Sequence, residues 1–461
     1  MSTPASAEEI RDRTEARPAR RPGGLREVGH LAYPVVLQNV SVTTLHMVDA
    51  AFLGRVGPTE MGAAGYGGLW IWTALCFFLG TGTGVQTFVA QAHGAGRERE
   101  CGPWAWQALA AVLPPLVVGT ALFAWAFPVF QAWLAPAPEL QGFATEYVRA
   151  RALGCGGVAV TMVLGAFFRG LGDMRTPLLV TMTAALANAV LDWGLIFGNL
   201  GMPALGVRGA GLATALAEWL GAALLLACFL RRRVRHAYAT GPVRPRLHSI
   251  RRFLRTGAPI GGMWFLDMIT FSLFTTLIAR MGSEVMAASQ AFVVLLHVSF
   301  MQVIGFQIAA MTLVGRYIGA EDPESAERSY RSALSLGVAY ASAVGVVFLL
   351  FPEALLRIFS DDARVLELGV PLLALGALFQ LVDAVGIIAG GALRGAGDTR
   401  WPFLVQTAMA WGLFLPLGWL GGVGLGGGLV GAWLGATAYV LALGAAMALR
   451  FRGGAWRRVR I

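Results

Sequence analysis

Twelve apolar stretches, each long enough to cross a bilayer, divide this chain at about 31–55, 62–90, 104–130, 144–168, 176–198, 209–230, 256–280, 285–314, 330–352, 366–393, 402–420 and 427–450. Charged residues make up only 13% of the 461, and hydrophobic ones 56%. A soluble domain of this size covers itself with about twice that charge. An ordinary soluble enzyme and a disordered chain are excluded, and a polytopic all-α membrane protein remains. Sixty glycines agree with this, because small residues let membrane helices pack closely. Pro34, Pro114, Pro115 and Pro259 fall inside spans. Such breaks are tolerated where neighbouring helices or water satisfy the freed backbone. Cys76, Cys101, Cys155 and Cys228 lie far apart without a CxxC pair, so no disulfide or metal framework is expected.

Arginine sets the expected topology. The chain has no lysine, so all 36 basic residues are arginine, against 26 acids. With the N-terminus inside, the cytoplasmic segments hold 29 of them. The outer side holds seven: Arg55, Arg149, Arg151, Arg208, Arg280, Arg357 and Arg364. That asymmetry fits the positive-inside rule and puts both termini in the cytoplasm. Residues 1–28 are polar and arginine-rich, without the apolar stretch of a signal peptide, and read as a cytoplasmic tail. The run Arg231-Arg232-Arg233 and the loop after it read as a linker beside anionic lipid, with no nucleic-acid partner.

The chain repeats itself. Phe168-Arg-Gly-Leu-Gly-Asp-Met-Arg-Thr-Pro177 recurs as Leu393-Arg-Gly-Ala-Gly-Asp-Thr-Arg-Trp-Pro402, at an offset of 225. The same offset carries Pro34 onto Pro259, Arg55 and Gly57 onto Arg280 and Gly282, and Gly94-Ala95 onto Gly319-Ala320. The expected organisation is a tail (1–30), a six-helix bundle (31–230), a basic linker (231–255), a second six-helix bundle (256–450) and a C-terminal tail (451–461). An even number of spans gives both bundles one orientation, as parallel repeats about a central cleft. Gly170, Gly172, Gly395 and Gly397 are expected to permit tight turns, and Asp173 and Asp398 to cap the following helices.

The repeat is most informative where it fails. A carboxylate in hydrocarbon is costly and marks function by default. Asp49 answers Phe274, Asp192 answers Leu417, Asp267 answers Val42 and Asp383 answers Val158, so none of the four builds the shared frame. Asp49 and Asp192 lie at one depth, Asn188 shares a helix face with Asp192, and Thr214 offers an oxygen. Asp267 and Asp383 share a second depth near the midplane. Two acids together in low dielectric cannot both ionise cheaply, so each pair would bind a proton or Na⁺, or meet a cationic substrate. The plainer alternative, an acid that hydrogen-bonds a helix end, stays open for each. His46, Glu218 and His297 are weaker relay candidates. Met263, Met268, Met301, Met311 and Trp264 would line an adaptable pocket or simply pack.

In combination and order, these residues resemble the multidrug and toxic compound extrusion (MATE) family, bacterial type. The likeness runs from about 31 to 450 through Pro34, Val48-Asp49-Ala-Ala-Phe-Leu-Gly54, Tyr147, Asn188-Ala-Val-Leu-Asp192, Gly209-Ala-Gly-Leu-Ala-Thr214, Pro259 to Asp267, Gln380-Leu-Val-Asp383 and Gly391 to Thr399. The resemblance implies a V-shaped pair of six-helix bundles and efflux of organic cations and drugs against entering H⁺ or Na⁺. In one branch the coupling ion sits at matches to Asp49, Asn188 and Asp192, with Tyr147 and Thr214 in the same pocket, and bending at Pro34 links ion binding to release. In another branch matches to Asp267 and Asp383 form a cation site. This chain carries both sets, with Asp267 where that branch tends to have Glu, so either half and either ion fit.

The expectation is therefore a monomeric antiporter of the bacterial inner membrane, exporting amphiphilic cations, with no cofactor and no catalytic residues. Na⁺ is the one metal considered, at Asp49 and Asp192 or at Asp267 and Asp383. The alternative is a flippase for a lipid-linked or polysaccharide precursor, disfavoured because acids rather than cations lie within the spans. No HExxH, Ser/His pairing or Cys/His cluster supports an intramembrane enzyme.

Overall fold

The computed structural model describes residues 22–134 and 138–459. Most of the expected N-terminal tail, and the last two residues of the C-terminal one, therefore lie outside the described residues. Among those described there is no strand, and the order of α-helices is α1 (Leu25–Val56), α2 (Pro58–Thr83), α3 (Val85–Gly94), α4 (Cys101–Leu134), α5 (Pro138–Ala152), α6 (Cys155–Gly170), α7 (Arg175–Phe197), α8 (Gly206–Leu230), α9 (Arg232–Tyr238), α10 (Leu247–Ala279), α11 (Ser283–Gly319), α12 (Pro323–Leu350), α13 (Pro352–Leu356), α14 (Ala363–Gly395), α15 (Arg400–Met409), α16 (Leu415–Trp419) and α17 (Gly428–Arg452). Segments rich in Ala and Leu favour helix, and in lipid a helix satisfies every backbone group within itself. Short polar residues start several of them: Asp362 accepts from the Arg364 and Val365 N–H groups at 2.8 and 3.2 Å, and Asp322 from Ser325 N–H at 3.0 Å.

By length and apolarity ten helices qualify as membrane spans, or eleven when α5 and α6, bent by 48° across a short break, count as one. Twelve were expected, and α1 makes the difference. At 32 residues it is long enough to cross at about 1.5 Å per residue. Gln38, Asn39, Ser41, Thr43, Thr44, His46 and Asp49 make it too polar to read as a lipid-facing span. The expected linker 231–255 is itself partly helical, in α9 and the first turns of α10. Residues 400–424 form one span containing two π-helical stretches, Ala410–Phe414 and Leu420–Gly424.

The apolar cores are not divided cleanly between the halves. One cluster is built on α2 to α8, yet Phe253 of α10 is buried in it, with Leu254 and Trp264 against it. A second is built on α11, α12, α14 and α17, yet Val28, Leu31, Ala32 and Val35 of α1 are buried in it. Each half thus lends the first turns of its leading helix to the other. Pro34, inside α1, removes one rung of the helix ladder where this crossing takes place. The far end of α1 returns to its own half, where Leu53 packs with Ala64, Ile196, Val207 and Ala210.

The halves meet at the end of the molecule that carries residues 22 and 459, and they meet reciprocally. A Cβ on Gly94 would overlap the Arg316 carbonyl oxygen, and one on Gly319 would overlap the Gln91 carbonyl oxygen. Both pairs are related by 225 residues. The Thr87 hydroxyl donates to the Arg394 carbonyl at 2.9 Å, and its counterpart, the Thr312 hydroxyl, donates to the Arg169 carbonyl at 3.0 Å. Gln86 Nε2 donates to Thr312 Oγ1 at 2.9 Å, and Gln91 Nε2 to the Gly395 carbonyl at 3.0 Å. Cross-half hydrogen bonds continue inward to Asn39, whose Nδ2 donates to the Met301 carbonyl at 2.5 Å.

The repeated loops sit against this contact. Gly172 (φ 84°) and Gly397 (φ 89°) make the turns. Gly170 and Gly395, expected to do the same, are helical and let α3 and α11 approach instead, against Gln86 and Met311. Asp173 caps α7, accepting from the Thr176 N–H and hydroxyl at 3.0 and 2.6 Å. Asp398 does not cap its helix; it pairs with Arg450 Nε at 2.9 Å.

Gly94→Ala is expected to lower the unfolding temperature of the purified protein, with an overpacking cost of about 1–3 kcal/mol. Gly142→Ala, where an added Cβ meets nothing within 4 Å, is expected to leave that temperature unchanged or raise it. Equal behaviour of the two variants in thermal unfolding would contradict the backbone contact at Gly94.

Candidate functional site

The two expected acid pairs form in separate halves. In the first half α7 carries Asn188 and Asp192, four residues apart and so on one face. Both are 1% exposed. Asn188 Nδ2 donates to Asp192 Oδ2 at 3.0 Å. The carboxyl of Asp49, from the far half of α1, lies within interaction range of that of Asp192. Two carboxylates have only acceptors, so a bond between them needs one shared proton. Asn188 Oδ1 and Asp192 Oδ1 are buried and accept no hydrogen bond from the protein. Buried acceptors in that condition are rare and mark a place for a proton, a cation or an ordered water.

Tyr147, on α5, lies within electrostatic reach of Asp49, Asp192, Arg151 and Glu218, so the structure brings it to the cluster. Thr214 is not brought into it by a hydrogen bond of its own: its hydroxyl donates to the Ala210 carbonyl at 2.9 Å, one turn back on α8. Beside Tyr147 stands a group the sequence reading missed. The sequence counts Arg151 among the outer-side arginines, near the start of span 4, but it points inward and pairs with Glu218 of α8 at 2.5 Å, the side chains 14% and 19% exposed. A signal was present, since an acid within span 6 needs a partner and Arg151 lies one turn beyond Tyr147. The side chain of His46 lies outside the described part of the structure. His297 is exposed, and its ring stacks near that of Phe300 at 6.4 Å between centroids.

In the second half Asp267 (α10) and Asp383 (α14) lie within electrostatic reach of each other. Gln406 of α15, also missed, donates from Nε2 to both Asp267 oxygens at 2.7 and 2.6 Å. Its repeat partner is Thr181, whose hydroxyl accepts from Gln38 Nε2 at 3.0 Å. The same helix pair is therefore bridged in both halves, but only the second bridge holds an acid. Met263 and Met311, candidates for an adaptable pocket, are buried packing residues, and Trp264 packs against the first core.

A protein-family model, MatE, matches the chain twice, over residues 34–193 and 259–420. The two matches begin on the repeat-related prolines. The probable multidrug resistance protein NorM of Thermotoga maritima is 30% identical over 434 residues, which cover 94% of this chain and 93% of that protein. The multidrug resistance protein NorM of Burkholderia vietnamiensis is 31% identical over 448 residues, 95% and 96% of the two chains. Among solved structures, an outward-facing multidrug resistance MATE family transporter of the MOP superfamily superposes with a TM-score of 0.86, at 19% identity over 95% of this chain and 98% of that one. A eukaryotic MATE transporter superposes at 0.82, with 18% identity and coverage of 94% and 96%.

Arg151→Met strands the Glu218 carboxylate. It is expected to destabilise the protein by about 3 kcal/mol, the low end for breaking a buried pair, because both side chains keep some exposure. The double variant Arg151→Met/Glu218→Leu removes both charges and should lie within about 1 kcal/mol of the parent. Thermal unfolding of the three proteins decides this; a double variant as unstable as the single would refute the pairing.

Proposed function

The chain belongs to the MatE family and is a membrane transporter rather than an enzyme; from that premise we propose that it is an antiporter, exporting amphiphilic organic cations in exchange for H⁺ or Na⁺. The observation that carries this reading is the proximity of Asp49 to Asp192, with Asn188 completing a set of oxygen acceptors. With one proton between them the acids carry one negative charge. Emptied of it they would hold two in a poorly solvated site, which is costly. The site must then take up a cation. Where a proton or Na⁺ and a cationic substrate draw on the same charge, occupancy by one disfavours the other, and that competition is the basis of exchange.

The path from the site to the rest of the molecule runs along α1. Asp49 lies on the half of α1 that packs in its own bundle, and Val28 to Val35 lie in the core of the other. Neutralising Asp49 changes what holds the far half of α1 in place, and the missing rung at Pro34 lets that half bend without dragging the anchored half along. Tyr147, within electrostatic reach of both acids, belongs to the same site, and Thr214 sits on the adjoining helix. In the second half Asp267, held by Gln406, and Asp383 present a negative surface for the substrate's positive charge or for Na⁺.

On this reading the arginine-rich end lies in the cytoplasm, and the protein is a monomer in a bacterial inner membrane. The reciprocal contacts of α3 and α11 then close the cytoplasmic side, and the cleft between the bundles 31–230 and 256–450 opens outward.

The test is efflux of a fluorescent organic cation from proteoliposomes, with a pH gradient and a Na⁺ gradient imposed separately. One gradient should drive export by the parent protein, and Asp49→Asn and Asp192→Asn should fall to the rate of empty liposomes. Full activity of Asp49→Asn would sink the reading. Asp267→Asn/Asp383→Asn should raise the KM for the dye by about tenfold where the pair meets the substrate, the cost of one lost charge interaction, and should lose drive by the Na⁺ gradient where it holds Na⁺. An unchanged KM would remove the second half from substrate binding.

A further inference from the structure

A second ionic site, apart from the acid pairs, lies at the arginine-rich end of the second half. Residues 248, 251, 252 and 255 are spaced i, i+3, i+4 and i+7, so His248, Arg251, Arg252 and Arg255 share one face of α10. They occupy its first two and a half turns. That is an unfavourable place for cations, because the unpaired N–H groups of a helix start already carry positive charge. Like charges four apart on a helix repel as well. Arg400, at the first position of α15, faces the same space, and the five groups line a cavity of about 640 Å³. The one acid in the lining, Asp398, is 6% exposed and already paired with Arg450 at 2.9 Å. Arg252 lies 5.4 Å from the centre of the Trp104 ring. Among the described residues Arg251, Arg255 and Arg400 have no acidic partner.

The repeat separates frame from function here too. At the matching positions of the first half stand Gly23, Arg26, Glu27, His30 and Arg175. There an acid replaces one of the arginines. Glu27 accepts from the Tyr317 hydroxyl at 2.9 Å and from Gly23 N–H at 2.8 Å, and Ser332 Oγ donates to the Gly23 carbonyl at 2.8 Å. The first-half position is thus filled by the chain itself. The second-half position has cations and a cavity, and its one lining acid, Asp398, is paired with Arg450.

We propose that this cavity binds a phosphate-bearing anion, either an anionic phospholipid headgroup or a soluble diphosphate. Guanidinium groups converging on one space suit phosphate oxygens, and basic pockets between membrane helices on the cytoplasmic side take such headgroups. The volume falls in the range of small-ligand sites. The site needs no assumption about the exported compound.

The test is native mass spectrometry of the purified full chain with phosphatidylglycerol, phosphatidylcholine or inorganic pyrophosphate, each added alone and in competition. Phosphatidylglycerol or pyrophosphate should bind on the order of tenfold more tightly than phosphatidylcholine, and Arg251→Gln/Arg255→Gln/Arg400→Gln should lose that preference. Arg26→Gln/Arg175→Gln, at repeat-related positions, should keep it. Displacement of the lipid by pyrophosphate would identify a shared phosphate site; retention of phosphatidylglycerol alone would identify the headgroup as the ligand, and binding of pyrophosphate alone the soluble anion. Parent-like binding by the triple variant, or no preference in the parent, would overturn the proposal. Without ligand, the triple variant should unfold at the same temperature as the parent or higher, because like charges have been removed. A marked fall would mean the protein itself holds those arginines, and would also overturn it.

Discussion

Backbone contact between α3 and α11 is the constraint on which the rest of this molecule depends. Where Gly94 meets Arg316 and Gly319 meets Gln91, no side chain fits between the helices. Apolar burial does not hold helices together in lipid as it does in water, so close approach and hydrogen bonds must do so. Here both are supplied, and the threonines of α3 and α11 tie each helix to the last turn of a helix of the opposite half. Because the contact is self-complementary, one set of residues serves twice. Because it lies at one end, the other end is free of it, and a cleft between the halves follows from where the glycines are.

Much of this was legible in the sequence. Apolar stretches and low charge lead to an all-helical membrane protein, and the 225-residue offset picks out Gly94 and Gly319, which stand at the contact, though not the residues they meet. What the pattern did not disclose depends on partners distant in sequence. Gly170 and Gly172 look alike in a loop motif, and only packing against Gln86 makes the first a contact and the second a turn. Arg151 reads as an outer-side arginine because it falls near the outer start of span 4; the helix turns it toward Glu218, on a span 67 residues further along. Gln406 was passed over because a lone amide in a span has no meaning until Asp267 faces it. The polarity that keeps α1 from reading as a plain span comes from the same residues that include a candidate site acid.

On the shared frame the two halves have diverged in a consistent way. The position of Asp49 in the first half is occupied in the second by Phe274, buried against Phe414 at 4.8 Å and Trp433 at 5.1 Å. The positions of Asp267 and Asp383 are occupied in the first half by Val42 and Val158. Each half has therefore traded an acid site for apolar packing at the point where its twin kept the acid. The second half also loosens its fifth span into two π-helical stretches, whereas α7, which bears Asn188 and Asp192, stays regular.

The borrowed packing of α1 has a consequence for how such a chain is made. Val28, Leu31, Ala32 and Val35 find their neighbours among residues such as Val303, Ala389 and Phe451, all synthesised after the first half is complete. During translation the leading helix has no protein surface ready for that face. It must wait in lipid, or against the insertion machinery, until nearly the last residue is added. The two halves descend from a duplicated unit, but neither is a finished object. Each closes its core only with a helix supplied by the other, so assembly is settled at the end of synthesis rather than half by half.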